Sequence, residues 1–250
     1  GLVCVCNSSY CDTLEVKFPS KPSEVVIITS SKSGLRFNQA HTKFNSDKMT
    51  IGNGPFYYGN TPKSEYYQKI IKVIKKVEGI EEPIDAIVNV EINRTSKYQR
   101  IIGFGGAFTG AVSYNLKLLS KEVQDHVYQS YYSKEIGIGY NMMRIPIGGC
   151  DFDVAPWTYN EEPEHDPYLT NFTHLDDRDL DKIQQINELK KVTKNKDIKV
   201  IGAAWSSPKW MKTNNAYTGF SALREEYYQT WADYHVKYLE LMAKNNLPFW

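Results

Sequence analysis

Residues 140–147 read Tyr-Asn-Met-Met-Arg-Ile-Pro-Ile, apolar at most positions, and run straight into Gly148-Gly149-Cys150-Asp151-Phe152-Asp153. A strand with water on one face alternates apolar and polar side chains. One that is apolar nearly throughout is covered on both faces, as in parallel sheets flanked by helices. Two further runs have this character, Arg100–Phe104 before the glycine-rich Gly103-Phe104-Gly105-Gly106-Ala107, and Ile198–Ala204 (IKVIGAA). The stretches between them carry helix signals. Ser120, a good N-cap residue, opens a helix through about Tyr132, and a second is expected over Asp177–Lys191. A third, over Arg224–Asn245, places Tyr227, Trp231, Tyr234, Tyr238, Leu241 and Met242 on one face. Leu247–Trp250 reads as the opening of a fourth strand.

Strand and helix in alternation mean an α/β protein, either doubly wound or a (β/α)8 barrel. The long insertions after the strands favour the barrel, whose active sites are built from such loops. A full barrel needs about eight units and ~250 residues of its own. Only about three units and the start of the fourth strand fit after residue 99, so the chain is expected to stop inside a partial TIM barrel. Its first part reads differently. Glu24–Thr29 (EVVIIT) and Ile87–Ile92 (IVNVEI) are β-type runs broken by Gly, Pro, Ser and Asn clusters. Tyr66–Val77 reads as a short inserted helix with a lysine-rich face. The predicted organisation is therefore a β-rich region over 1–98, with a small disulfide knot, and the N-terminal part of the barrel over 99–250.

Thirty Lys and Arg against 29 Asp and Glu leave a formal charge of +1, which gives no reason to expect a nucleic-acid partner. No run reaches the ~18–20 apolar residues that cross a bilayer. Cys4, Cys6 and Cys11 crowd the first eleven residues and Cys150 stands apart. Three close cysteines without an adjacent His make a poor zinc set, so the cluster reads as a disulfide knot and no metal site is expected. If Cys6 pairs with Cys11, the partner of Cys4 is either Cys150 or a residue upstream of Gly1. Sequons at Asn7, Asn93 and Asn171 fit the same secretory context.

In a barrel, residues at the C-terminal ends of strands carry function. Arg144 and Asp151 meet this condition: a guanidinium there can grip a carboxylate, and an Asp just beyond can accept two sugar hydroxyls. So does the phrase Trp205-Ser206-Ser207-Pro208-Lys209-Trp210, where one indole suits stacking on a sugar face and the other suits the core. The glycine-rich phrase lacks the Lys-Ser/Thr of a phosphate loop and is better explained by close backbone packing. Asp151 and Asp153 would lie roughly 7 Å apart on an extended chain, but neighbours on one loop rarely flank a sugar ring.

Five phrases in order carry a resemblance: Cys4-Val-Cys6-Asn7 through Cys11-Asp12, Gly103 through Ala107, Tyr140-Asn141 through Pro146, Cys150-Asp151-Phe152, and Trp205 through Thr213. Together they resemble the N-terminal half of the glucosylceramidases of glycoside hydrolase family thirty. The resemblance implies a retaining β-glucosidase that hydrolyses glucosylceramide or a related β-glucoside in the lysosome or after secretion. It implies a (β/α)8 barrel plus a β-sandwich, no cofactor, and a saposin-type activator and anionic membrane surface as partners. The family's acid/base Glu ends the fourth strand and its nucleophilic Glu the seventh, so both are expected beyond Trp250 and this chain alone is expected to be inactive. Asp151 matches the glucose-hydroxyl acceptor, Trp205 the sugar platform and Arg144 the active-site Arg, with Phe152 beside them as a substrate contact. Cys6 with Cys11 matches one disulfide, Cys4 a half-cystine whose partner precedes Gly1, and Cys150 a free thiol. Asn7 and Asn171 match glycosylated positions. Two departures are the longer segment at 50–86 and Gly110, which replaces an Asp common after the Thr of the first loop. The competing function is a non-catalytic secreted relative that binds glycolipid or a protein partner.

Overall fold

The computed structural model describes residues 6–11, 19–30, 38–43, 95–162 and 164–250. These fall into two compact units, one reaching to Arg100 and holding a hairpin, the other holding residues 6–11 and Ile101–Trp250.

The hairpin pairs β1 (Glu24–Thr29) antiparallel to β2 (Asn38–Lys43), in register from Glu24 opposite Lys43 to Thr29 opposite Asn38. The β-branched run EVVIIT thus forms the strand its composition favours. The strand expected at Ile87–Ile92, the helix expected at Tyr66–Val77 and the rest of the segment 50–86 lie outside the described residues. In the other unit a disulfide joins Cys6 to Cys11.

From Ile101 onward the order is β3 (Gly105–Ala107), α1 (Gly110–Lys117), α2 (Lys121–Tyr132), β4 (Met142–Ile147), α3 (Asp177–Thr193), β5 (Lys199–Ala204) and α4 (Tyr228–Lys244), with 3-10 turns at Lys209–Met211 and Glu225–Tyr227. The three strands form one parallel sheet in the order β3-β4-β5. Sequential parallel strands joined through helices are the start of a barrel wall. Trp250 extends it, its amide donating to the Val200 carbonyl at 2.9 Å; this one bond is what the expected fourth strand amounts to.

The core lies between sheet and helices. Met143, Ile145 and Val200 are 1%, 0% and 2% exposed, and they pack with Tyr128, Ile186, Leu189, Tyr234, Tyr238 and Met242. Each such apolar side chain contributes about 1.5–3 kcal/mol through burial. Tyr234, Tyr238, Leu241 and Met242 are the inward stripe read from the sequence of α4.

The first barrel strand differs from its expectation at Arg100–Phe104. Ile101, Ile102 and Phe104 are exposed, and the parallel ladder begins at Gly105 opposite Met142. The reason is close approach: a Cβ on Gly105 would overlap the Met142 carbonyl, so pairing there admits only glycine. Helix α1 had no counterpart in the sequence reading. Thr109 caps it, its Oγ1 accepting from the Val112 amide at 3.3 Å.

Candidate functional site

Two loops leave the C-terminal ends of adjacent strands, one after Ile147 of β4 and one after Ala204 of β5, which are paired in register. The first turns sharply at Gly148, whose φ of +79° suits glycine alone among residues without strain. Gly149 then donates its amide to the Trp157 carbonyl at 2.8 Å, so the loop doubles back on itself. At its tip Asp151 and Phe152 are exposed.

The second loop starts with Trp205, which is 37% exposed. Its indole Nε1 donates to Asp151 Oδ1 at 3.2 Å, and the Arg144 guanidinium carbon lies 5.0 Å from its ring centroid. The structure therefore brings the Asp151, Trp205 and Arg144 side chains together, although Arg144 lies in the middle of β4, opposite Ile201, and not at the strand end expected for it. Arg144 meets an indole face, a contact worth about 0.5–2 kcal/mol, rather than the carboxylate expected for it. Phe152 stands beside them on the same turn, 62% exposed, with its carbonyl accepting from the Ala111 amide at 2.7 Å. Trp210 is the core member of the tryptophan pair, 7% exposed with Nε1 donating to the Asn160 carbonyl at 2.8 Å.

Asp153 points elsewhere. Its Oδ2 accepts from the Cys150 amide at 2.9 Å and from Trp157 Nε1 at 3.0 Å. The Trp157 ring is in turn covered by the Arg178 guanidinium at 4.0 Å. Asp151 and Asp153 thus face different partners and do not form a pair across one ligand. Nothing in the sequence pattern pointed to these contacts of Asp153 beyond Gly110, whose missing side chain leaves room for the Asp153 carboxylate.

The loop after β5 is held by a buried cation. Lys212 Nζ donates to Ser206 Oγ and to the Tyr217 carbonyl, both at 2.9 Å, and burial pushes its ammonium pKa down. Cys150 is a buried free thiol. Asn7 and Asn171 are exposed; Asn7 Oδ1 accepts from the Ser9 and Tyr10 amides, while Asn171 donates to Asp166. Cys4 and Asn93 lie outside the described residues. Among the described residues no three His, Cys, Asp or Glu side chains converge as metal ligands, and no helix is long and apolar enough to cross a membrane.

Chemically, Asp151 keeps acceptor capacity beyond its indole bond, since an ionised carboxylate has about four lone-pair sites. Beside a half-exposed indole it can hold hydroxyl groups of a ligand whose apolar face rests on the ring.

Comparison with known proteins identifies the barrel segment. Residues 101–250 match the glycosyl hydrolase family 30 TIM-barrel domain. A Caenorhabditis elegans protein provisionally named glucosylceramidase 4 is 31% identical over 255 residues, 100% of this chain and 41% of its own length. The lysosomal acid glucosylceramidase of Mus musculus is 30% identical over 254 residues, 100% of this chain and 42% of its own length. The solved structure of the endo-β1,6-glucanase BT3312 superimposes with a TM-score of 0.54 at 28% identity, covering 63% of this chain and 35% of that one. This chain spans about two fifths of the length of those two curated relatives. The barrel segment, the parallel order of its strands and the family match together place the chain in glycosyl hydrolase family 30.

Proposed function

We propose that this chain carries the glucose-holding half of a retaining β-glucosidase that hydrolyses glucosylceramide. The observation that carries the reading is the Asp151–Trp205–Arg144 cluster, in which Asp151 and Trp205 follow the ends of β4 and β5, where a barrel builds its ligand site, and Arg144 reaches them from within β4. Asp151 accepts the sugar hydroxyls, Trp205 is the platform, Arg144 braces the platform, and Phe152 meets the substrate at the rim. On this reading the acid/base and nucleophilic glutamates lie outside residues 1–250, and the β-rich N-terminal region, reaching to about residue 98, belongs to a β-sandwich. The same reading places the protein in the lysosome or among secreted proteins, with glycans on Asn7, Asn93 and Asn171, and with a saposin-type activator and anionic membrane as partners.

The likeness to an endo-β1,6-glucanase supports a second reading, cleavage of β1,6-linked glucan by the same cluster. The match over the whole chain to the mouse glucosylceramidase favours the first. The full-length gene product, assayed at acidic pH, is expected to release glucose from glucosylceramide, and Asp151→Ala to lower kcat/KM about 100-fold, as for loss of a group that contacts the reacting sugar. Cleavage of β1,6-glucan with no action on glucosylceramide would install the second reading.

A further inference from the structure

The turn that presents Asp151 is held by an interlock that the reaction itself does not require. Asp153 stands two residues beyond Asp151. Its Oδ2 accepts from the Cys150 amide at 2.9 Å and from Trp157 Nε1 at 3.0 Å, tying the two legs of the loop. Its Oδ1 fills the space that a Cβ on Gly110 would occupy. Gly110 is the first residue of α1, a helix with no acidic residue in its own first turn. The Asp153 carboxylate therefore lies at the positive end of that helix, where a negative charge is stabilised. Beside it the Phe152 carbonyl accepts from the Ala111 amide at 2.7 Å. The anchor is backed by Trp157, which is 6% exposed and covered by Arg178.

We infer that Asp153 is a positioning residue that sets the Asp151–Phe152 turn against the start of α1, and that Gly110 is its matched partner. One carboxylate fixes three things at once: the turn after β4, the returning leg at Trp157 and the N-terminus of α1. Asp151 owes its place opposite Trp205 to that fixation. The inference rests on the proposed role of Asp151 in holding sugar.

The test uses the full-length gene product, with kcat and KM for a soluble β-glucoside normalised to the folded fraction. Asp153→Ala is expected to lower kcat/KM about tenfold, mainly through KM, because a ligand-holding group displaced by a fraction of an ångström loses its contacts. Asp153→Asn recovers most of that loss, since an amide oxygen can accept both hydrogen bonds. Gly110→Ala produces a loss of similar size by pushing the carboxylate aside. The double variant Gly110→Ala/Asp153→Ala is no worse than either single one, as contacting residues are non-additive. Losses that simply add would break the pairing, and singles that lower only Tm while kcat/KM holds would reduce Asp153 to a structural role. Asp151→Ala, run in parallel, separates the two ideas: if it leaves kcat/KM intact the sugar-site reading fails, and if it alone is damaging the interlock fails.

Discussion

Asp166 shows how one side chain can pin a loop. It is 6% exposed, and burial alone would raise its carboxyl pKa. The Asn171 amide at 2.9 Å, Thr170 Oγ1 at 3.0 Å and Asn171 Nδ2 at 3.1 Å all donate to it, and together they outweigh burial and hold it at about 2. The folded value lies below the ordinary 3.8, so protonation favours the unfolded chain. Its stabilisation is complete above the unfolded pKa, near 4, and is lost as pH falls toward 2. The loop bearing the Asn171 sequon is therefore expected to stay closed in mildly acidic surroundings. Melting temperatures of Asp166→Asn and the parent, compared from pH 6 down to pH 2.5, should converge at the acid end; a gap that is constant across that range would contradict the assignment. At this same scale the sequence spoke unevenly. Asp151 and Trp205 were legible as candidates because each follows a recognisable strand, a position that needs only the chain order, whereas Arg144 lies inside β4 and reaches Trp205 through its long side chain. The anchoring role of Asp153 was not, because it depends on where Trp157 and Gly110 arrive in space.

Helix α3 has a start that its sequence declares and an interior that it does not. Asp176 caps the helix, its side chain accepting from the Arg178 amide at 2.9 Å, and acidic residues in the first turn with lysines in the last suit the helix dipole. Those signals are local, so the expected and observed N-termini coincide. Inside, however, Lys182 and Asp179 are 1% and 0% exposed at the side chain and paired at 3.0 Å, where an amphipathic pattern would leave charges outside. Burial pushes the Asp179 carboxyl pKa up and Lys182 pulls it down. Lys182→Met would leave that carboxylate uncompensated in the core, at a cost of about 3–5 kcal/mol, whereas adding Asp179→Leu should restore most of the stability. Denaturant unfolding of the full-length protein would measure both, and a Lys182→Met effect below about 1 kcal/mol would show that Asp179 finds another partner. Helix α1 escaped the sequence reading for the opposite reason. Eight residues give barely two turns, the run opens with Gly110 directly after a glycine-rich phrase, and its stability comes from the Thr109 cap and from packing on α3. The displacement of β3 toward its glycines is of the same kind, since apolar Ile101 and Ile102 advertised a strand from Arg100 that backbone proximity placed five residues later.

For the molecule as a whole, the parallel alternation narrowed the fold to a doubly wound sheet or a barrel, and the long insertions after the strands favoured the barrel. Three strands in the order β3-β4-β5 make an open sheet, and a barrel removes strand edges only by closing. Ile101, Ile102 and Phe104 are 64%, 51% and 68% exposed along the approach to β3, and Trp250 is 63% exposed beside β5. Apolar surface flanking both sides of an unclosed parallel sheet is an association hazard as well as lost burial energy. Residues 1–250 expressed by themselves are therefore expected to melt broadly, to bind a hydrophobic dye before heating and to sediment as concentration-dependent oligomers. The core between sheet and helices works in the other direction, since Ile145, Ile186, Leu189, Tyr234 and Tyr238 are all 0% exposed already. The contest is thus between a formed core and two open flanks. A sharp two-state melt of the monomeric segment without dye binding would show that the core prevails and that barrel closure serves the site rather than the stability of this part.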